Sequence, residues 1–352
     1  MIFKKFFKAS YLYKHKKNLK ISKLLFNDKL RKGQVLVKLK YSGICGSQVG
    51  EISGIKGRDR HLPHLLGHEG SGVVQEVGPG VKYIKKNQKV ILHWMKSRGI
   101  EADTVKYYSK NKIINAGKVT TFNEYAIVSE NRLTNIPAGL SFKNAVVFGC
   151  AMTTGYGAVN NDAKIKKNKN ILIIGAGGVG ISIIQSCNLK NSKEIVVIDL
   201  YQNKLNFSKK FGSTKTILYK KNLKNLKYKL NHILNKNEHF DYCFDTTGDP
   251  NLIELAYNII GTNAKLILIG VPHYKSKISI NTLGINLGKK IIGSKGGNIK
   301  PHIEIKKIFQ KFQNKKISFS KFYENTYNIN QINNAIKKMK MGKILGRPLI
   351  KF

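Results

Sequence analysis

The chain has 352 residues, 41% of them hydrophobic, which is enough to bury the cores of two domains. No apolar run approaches the roughly twenty residues of a membrane span, and the first residues lack the apolar core and cleavage site of a signal peptide. We therefore expect a cytoplasmic protein without membrane contact. Four cysteines, at positions 45, 150, 187 and 243, are too few and too scattered for a disulfide framework.

The charge of the chain is extreme, since 63 Lys and Arg residues against 19 Asp and Glu residues give a formal net charge of +44. Such a balance commonly indicates a nucleic acid or an anionic surface as partner. The lysines are spread through nearly every segment, however, rather than gathered in one tail or helix face. We therefore favour a solvated basic surface over a specific nucleic-acid role, with anionic cofactors and substrates attracted in a salt-sensitive way.

Residues 1 to about 150 have the pattern of a small β-rich domain. Apolar and polar residues alternate over 35–41 and over 72–77, and Pro79-Gly80 marks a turn before a further strand at 90–92. Residues 96–118 are polar, contain glycine and show no clear period, which predicts a long loop.

The end of this region returns to regular structure. Residues 124–128 predict a strand, and Ser141 is the expected N-cap of a helical stretch.

From about residue 154 strands alternate with helical segments. Apolar runs predict six strands, at 171–174, 195–198, 216–218, 242–244, 265–269 and 290–292. Six strands separated by helices predict an α/β fold with a doubly wound parallel sheet. After residue 297 the pattern predicts helices at 301–312 and 329–341 and a closing strand near 348–351.

A glycine turn joins the first of these strands to a helix predicted over 179–187. Its sequence is Gly175-Ala176-Gly177-Gly178-Val179-Gly180. The first glycine allows a tight turn, the second lets the backbone approach a pyrophosphate, and the third lets helix and strand pack closely. The phosphates would lie at the helix N-terminus.

An acidic residue completes this pattern. Asp199 ends the next apolar run, 19 residues after Gly180. A carboxylate at this place accepts hydrogen bonds from an adenosine ribose and repels a 2′-phosphate, which favours NAD over NADP. The alternative is a glycine turn in an ordinary α/β unit.

Two further segments follow strands at the edge where such sheets bind ligands. They are Asp245-Thr246-Thr247-Gly248 and Ile269-Gly270-Val271-Pro272, of which Gly270 and Val271 are candidate cofactor contacts.

Three residues of the β-rich region are candidate metal ligands. Cys45, His68 and Cys150 offer two thiolates and an imidazole, a set that binds zinc and leaves a fourth position for water or substrate. Glu69 could act as a further ligand in one state of the site or as a carboxylate behind the ligands. Taken singly, each cysteine could equally be a small buried hydrophobe and the histidine a satisfied core residue.

Several motifs together resemble the zinc-dependent medium-chain alcohol dehydrogenases, in order and spacing across nearly the whole chain. They are Gly43-Ile44-Cys45-Gly46-Ser47, Gly67-His68-Glu69-Gly70, Val77-Gly78-Pro79-Gly80-Val81, Gly149-Cys150-Ala151-Met152-Thr153-Thr154-Gly155-Tyr156-Gly157 and the glycine turn. The resemblance implies a GroES-like catalytic domain over 1–153 and 298–352 and a Rossmann NAD-binding domain over 154–297.

The resemblance also implies residue roles. Cys45, His68 and Cys150 would hold one catalytic zinc that Glu69 can approach, and Ser47 would hydrogen-bond the substrate oxygen. The remaining implied roles are an aromatic wall of the substrate pocket for Trp94, ribose contacts for Asp199 and Lys204, and a pyrophosphate contact for Arg347. Without the resemblance, Lys204 could equally be a surface lysine, Trp94 a core residue and Arg347 the partner of a neighbouring acid.

The chain departs from the family pattern at three places. Residues 95–122 contain no cysteine, so the structural zinc of many relatives is not expected. Gly50 stands where several relatives carry a histidine that passes the proton to solvent, and Gln48 stands where an acid is common. The sequence therefore does not define the path by which the substrate proton reaches solvent, nor the group that hydrogen-bonds His68.

The function implied is that of an NAD-dependent zinc alcohol dehydrogenase or aldehyde reductase, which transfers a hydride between an alcohol carbon and NAD through a zinc alkoxide. Its substrate would be a small alcohol, aldehyde or sugar-like molecule. Two alternatives stay open: a zinc-free reductase of the same superfamily, and a basic nucleic-acid-binding protein that keeps the fold without turnover. Since relatives commonly pair the last strand of the nucleotide sheet across subunits, a homodimer or homotetramer is expected.

Overall fold

The computed structural model describes residues 3–110, 112–315, 319 and 322–352. By its internal contacts the chain divides into two compact units. The β-rich unit consists of Met1–Thr153 and Lys300–Phe352, and the parallel-sheet unit consists of Thr154–Ile299. Among the described residues, no helix combines the length and the apolar character that crossing a membrane would require.

The β-rich unit is built from short strands and three short helices in its first segment. The strands are β1 (Phe3–Leu12), β2 (Lys20–Asp28), β3 (Gln34–Gly43), β4 (His64–Leu65), β5 (Glu69–Val77), β6 (Lys89–His93), β7 (Lys106–Ser109), β8 (Lys112–Asn115), β9 (Tyr125–Ser129) and β10 (Leu133–Asn135). The helices are α1 (Gly46–Ile52), α2 (Phe142–Ala145) and α3 (Ala151–Gly157), which runs across the unit boundary. As expected, the Ser141 side chain caps α2 by accepting a hydrogen bond from the Asn144 N–H.

The C-terminal segment returns to the β-rich unit. It contains α9 (Pro301–Asn314), β17 (Thr326–Asn328), α10 (Ile332–Lys340) and β18 (Leu349–Lys351). Strand β18 pairs antiparallel with β3, so the last residues of the chain lie against one of its first strands. Apolar side chains of α10, among them Ile332 and Ile336, share a buried cluster with Leu12 and Phe122.

Two sheets make up this unit. Strands β1, β2, β7, β8 and β4 close on themselves, and the second sheet has the order β10-β6-β5-β3-β18-β17 with β9 also paired to β3. Seven of the ten residues of strand β3 are buried, and the strand pairs with β5, β9 and β18.

The predicted loop over 96–118 is wrong in its second half, where β7 and β8 form a hairpin. Each strand has only four residues, too few for a clear period against the polar background. Burial of Tyr107 and Ile114 in the cluster around Phe7 and Leu24 holds the hairpin in place. Tertiary packing therefore stabilises strands whose local pattern is weak.

The parallel-sheet unit has the predicted alternation of strands and helices. The strands are β11 (Asn170–Ile174), β12 (Glu194–Asp199), β13 (Lys215–Leu218), β14 (Phe240–Asp245), β15 (Ile260–Leu268) and β16 (Lys290–Gly293). The helices are α4 (Gly178–Leu189), α5 (Gln202–Lys209), α6 (Leu223–His232), α7 (Pro250–Ile259) and α8 (Leu283–Asn286).

All six strands are parallel, in the order β13-β12-β11-β14-β15-β16. The predicted doubly wound sheet is therefore confirmed. The order reverses between β11 and β14, which leaves a crevice at the carboxyl ends of these two strands.

Candidate active site

Three ligand-bearing residues far apart in the sequence meet inside the β-rich unit. Cys45 precedes α1, His68 precedes β5, and Cys150 lies between a short 3-10 turn and α3. Strand register explains the meeting, since Ser42 of β3 pairs with Gly70 of β5 and the strands carry Cys45 and His68 on their adjoining ends.

The three ligand atoms lie within 4.8 Å of one another, and the two sulfurs are 4.0 Å apart. His68 Nε2 is buried, and among the described residues it lacks a well-formed hydrogen bond. An unpaired buried nitrogen costs free energy unless something binds it. Two thiols and one imidazole fit a zinc ion with one position left open.

Hydrogen bonding and nearby charge favour the thiolate form of Cys45 in this cluster. The hydrogen bond from Cys150 lowers the pKa of Cys45 well below its usual value; burial acts against this, and the Arg347 charge adds to it. Metal binding requires deprotonated thiols, so a thiol that ionises readily suits the role.

Gln48 contacts the imidazole of His68 at its Nδ1 atom. Its side-chain oxygen accepts a hydrogen bond from the Gly67 N–H at 2.5 Å, and its Nε2 lies 3.1 Å from His68 Nδ1. The Gly67 N–H fixes the amide orientation, because turning the amide over would bring two donors together. Gln48 therefore stands where the family commonly has an acid, and its N–H faces Nδ1, so a neutral ring carries its proton on Nε2 and a metal ion binding at Nε2 would have to displace that proton.

Glu69 and Arg347 form a buried ion pair beside the cysteines. Arg347 Nε lies 3.1 Å from Glu69 Oε1, and the guanidinium also donates to the Ile44 carbonyl at 3.2 Å. Burial raises the pKa of Glu69 to about 7 although the Arg347 charge lowers it. The structure thus places Arg347 against an acid, the alternative left open above, and its contact with a pyrophosphate stays a prediction.

The other site residues of this unit lie nearby. Glu69 of β5 pairs with His93 of β6, and the next residue, Trp94, places its ring 6.4 Å from the His68 ring, centroid to centroid. Ser47 is half-buried in the first turn of α1, two residues after Cys45. Both positions are compatible with roles toward a substrate at the cluster.

A cavity of about 630 Å³ adjoins the cluster within the same unit. His68 and Gln48 line it, together with a second group of potential ligands, Glu51, Asp59 and His64. Its volume is within the range of small-molecule sites. This second group is not predicted by the sequence, because the residues between α1 and β4 carry no regular pattern that would bring them together.

The candidate cofactor residues surround a second cavity, of about 560 Å³, at the carboxyl edge of the parallel sheet. Gly175, Gly177, Asp199 and Lys204 line this cavity. Gly178, Val179 and Gly180 form the first turn of α4 beside it. Gly270 and Val271 follow β15 and are not among the lining residues described.

The glycine turn has the geometry that a dinucleotide needs. A Cβ on Gly180 would lie 1.9 Å from the Gly175 carbonyl oxygen, so only glycine lets α4 approach β11 this closely. A Cβ on Gly177 would meet no described atom within 4 Å, and this open space lies where a pyrophosphate would rest on the helix N-terminus.

Asp199 is held firmly in this cavity. Its Oδ2 accepts from the Ala176 N–H at 2.8 Å and its Oδ1 from the Tyr201 N–H at 3.0 Å. Its carboxylate is therefore oriented before any ribose binds. The Lys204 ammonium lies 4.9 Å from the centre of the Tyr201 ring.

A buried cysteine–histidine cluster in a β-rich unit and a glycine turn on a doubly wound sheet define a medium-chain dehydrogenase. Residues 31–138 match the alcohol dehydrogenase GroES-like domain, and residues 178–314 match the zinc-binding dehydrogenase domain. The chain belongs to the zinc-binding medium-chain alcohol dehydrogenase family, a family of oxidoreductases.

Known relatives extend along nearly the whole chain. Alcohol dehydrogenase class-3 of Dictyostelium discoideum is 28% identical over 347 residues, 90% of each chain. S-(hydroxymethyl)glutathione dehydrogenase of Escherichia coli is 26% identical over 351 residues, 92% of this chain and 93% of that one. The structure of an alcohol dehydrogenase zinc-binding domain protein from Burkholderia ambifaria superimposes with a TM-score of 0.89 at 21% identity, covering 99% and 100% of the two chains.

Proposed function

We propose that this protein is an NAD(H)-dependent zinc alcohol dehydrogenase or aldehyde reductase. The observation that carries the proposal is the convergence of Cys45, His68 and Cys150 around a buried imidazole nitrogen that lacks a well-formed hydrogen bond within the described structure. A zinc-free reductase would not need two thiols and an imidazole within 4.8 Å of one another.

Each residue of the cluster has a part in the proposal. Cys45, His68 and Cys150 would hold one zinc ion. The hydrogen bond to Cys45, burial and the Cys45 charge raise the pKa of Cys150, and the nearby Glu69 charge adds to this. Bound there, zinc supplies a Lewis acid that lowers the pKa of a hydroxyl and polarises a carbonyl. Ser47 would accept a hydrogen bond from the alcohol hydroxyl and, as it takes that proton, pass its own on to the cofactor ribose and water. Trp94 would exclude water from one side of the substrate.

The cofactor would be NAD rather than NADP. The fixed Asp199 carboxylate would accept hydrogen bonds from the adenosine ribose and repel a 2′-phosphate, as the open space over Gly177 receives the pyrophosphate. The family match supports NAD(H) as the hydride carrier. The chain's part is to bind and orient the dinucleotide, and the redox chemistry belongs to the nicotinamide.

The substrate would be a small alcohol or aldehyde, including sugar-like compounds. Relatives named as alcohol dehydrogenases support this class of substrate, and the Trp94 ring beside His68 would form one wall around it.

We propose a homodimer or homotetramer joined through β16. This strand ends the sheet, so one of its backbone edges is unpaired among the residues that the structure describes. The segment before it exposes Leu283 and Leu287, at 60% and 54%. Edge strands and exposed apolar side chains are typical of subunit contacts. Light scattering checks this proposal, and a monomer at micromolar concentration would contradict it.

The decisive experiment compares Cys45→Ser with Cys187→Ala, which changes a buried cysteine of α4 away from the cluster. We expect Cys45→Ser to lose bound zinc and to lower kcat/KM of NAD-linked alcohol oxidation by more than about a hundredfold, because a direct ligand matters more than an outer partner. Cys187→Ala should keep both the bound zinc and the kcat/KM of the unsubstituted protein. A fully active, zinc-free Cys45→Ser would contradict the proposal.

A further inference from the structure

We propose that Glu51, Asp59 and His64 form a second binding site for a divalent transition metal, separate from the cysteine cluster. One ligand atom from each lies within 4.8 Å of the other two. They come from α1, from the segment after it and from β4, so that the fold brings them together. The site goes beyond the proposed function and does not depend on it.

The ring of His64 is oriented for metal binding. Its Nδ1 lies 2.9 Å from the Leu65 carbonyl oxygen, which can only accept, so the proton of a neutral ring is on Nδ1. Nε2 then carries a lone pair, which points at the Asp59 Oδ2 at 2.7 Å. A histidine that donates from one nitrogen to a backbone carbonyl and offers the other is the usual arrangement of a metal ligand.

The contact between His64 Nε2 and Asp59 requires a shared proton or a bound metal ion. Two lone pairs repel each other at 2.7 Å unless a proton or a metal ion shares them. The other oxygen of this carboxylate, Asp59 Oδ1, accepts from the His61 N–H at 2.8 Å, which fixes the orientation of the group.

The spacing suits an octahedral ion. Ligand atoms at about 2.1 Å from such an ion stand about 3.0 Å apart when adjacent and about 4.2 Å apart when opposite. His64 Nε2 lies 2.7 Å from Asp59 Oδ2 and 3.9 Å from Glu51 Oε1. Shifts of a few tenths of an ångström are enough to place both oxygens around one ion.

The chemistry of the ligands selects the metal. One imidazole and two carboxylates favour Mn²⁺, Fe²⁺, Co²⁺ or Zn²⁺ over Mg²⁺ and Ca²⁺, which prefer oxygen ligands throughout. The His15 Nε2, 3.8 Å from Asp59 Oδ2, lies at the edge of the group. The site lines the cavity next to His68, which leaves it open to ions and water.

One local group competes with the metal. The Lys56 ammonium lies 3.0 Å from Glu51 Oε2 and is half exposed. An incoming ion must share the Glu51 carboxylate with this charge. Replacing Lys56 by methionine should therefore tighten metal binding at the second site, by roughly two- to fivefold given the strength of such surface ion pairs.

The test is a Co²⁺ titration of the full-length protein, followed by absorption and by metal analysis after dialysis. We expect two equivalents. One gives the thiolate-to-cobalt charge-transfer band of the cysteine cluster, and the other gives only the weak bands of a nitrogen and oxygen site. His64→Ala and Asp59→Asn should each lose the second equivalent and keep the charge-transfer band, which also shows that the unit is folded.

His61→Ala is the matched control, because His61 lines the same cavity without belonging to the ligand group. It should bind both equivalents. A single equivalent in the unsubstituted protein would show that a proton alone joins His64 and Asp59, and would overturn the proposal. Two equivalents retained by His64→Ala would also overturn it. Cys45→Ser should lose only the charge-transfer band, so failure of the proposed function and failure of this site give different results.

Discussion

At the scale of single residues, the buried histidine of β6 couples stability to pH. His93 is fully buried, with Nδ1 2.8 Å from the Met95 carbonyl and Nε2 3.0 Å from the Thr134 hydroxyl. Burial lowers its pKa to about 4. The folded state thus keeps the ring neutral at a pH where the unfolded chain protonates it.

This difference predicts a loss of stability in acid. Between pH 7 and pH 5 the unfolded state takes up a proton at His93 and the folded state does not, so the free energy of unfolding should fall by about 2 kcal/mol from this group. The loss begins near the unfolded pKa of about 6.5 and is complete below about pH 4. Urea unfolding of the protein and of His93→Gln at both pH values measures it.

His93→Gln can keep both hydrogen bonds without titrating. Its free energy of unfolding should therefore change less between the two pH values than that of the unsubstituted protein. An equal change in both proteins would assign the pH dependence to other groups.

At the scale of elements, two glycines in the turn between β11 and α4 are required for different reasons. Gly180 is needed for packing, since a Cβ there would lie 1.9 Å from the Gly175 carbonyl oxygen. Gly177 has φ −77°, which any residue adopts, and a Cβ there meets no described atom within 4 Å. One glycine thus serves the fold, and the other leaves space for a ligand.

Two matched substitutions test this division. Gly180→Ala should lower the free energy of unfolding by about 2 kcal/mol or more, because helix and strand must separate. Gly177→Ala should leave it within about 0.5 kcal/mol and weaken NAD binding, because the methyl group fills the space of the pyrophosphate. Calorimetric NAD titration and urea unfolding of both variants measure these effects. Unchanged NAD affinity in Gly177→Ala would place the cofactor elsewhere.

At the scale of the whole molecule, the charge of +44 acts against the folded state. The repulsion is visible locally in the parallel-sheet unit. Burial lowers the pKa of Lys265, and the charges of Lys290, Lys164 and Lys166 lower it further. Like charges brought together by folding are screened by salt.

Salt should therefore stabilise this protein. Raising the ionic strength from about 10 mM to about 150 mM shortens the screening length from about 30 Å to about 8 Å. We expect the melting temperature to rise by roughly 2–4 °C, and by less in Lys164→Gln, which removes one of the charges facing Lys265. Differential scanning calorimetry at both ionic strengths measures the rise. A constant or falling melting temperature would show that the surface charges are already far enough apart.

The sequence by itself determined the parallel-sheet unit and its glycine turn. Buried parallel strands are continuous apolar runs, and the turn is a local motif, so both can be read from neighbouring residues. Cys45, His68 and Cys150 were found through motifs that resemble a family rather than through spacing, because more than eighty residues separate His68 from Cys150 along the chain.

Only the tertiary structure decided which side chains face each other. The Glu69–Arg347 ion pair and the Gln48 amide on His68 depend on the pairing of β3 with β5 and β18. The β7–β8 hairpin and the group of Glu51, Asp59 and His64 are local in the chain, but the hairpin is held by burial against distant side chains. No local pattern encodes such contacts, because they arise from the register of β3 with β5 and β18 and from burial in a shared core. The sequence shows which residues can bind a metal, and the pairing of β3 with β5 and β18 decides which of them lie close together.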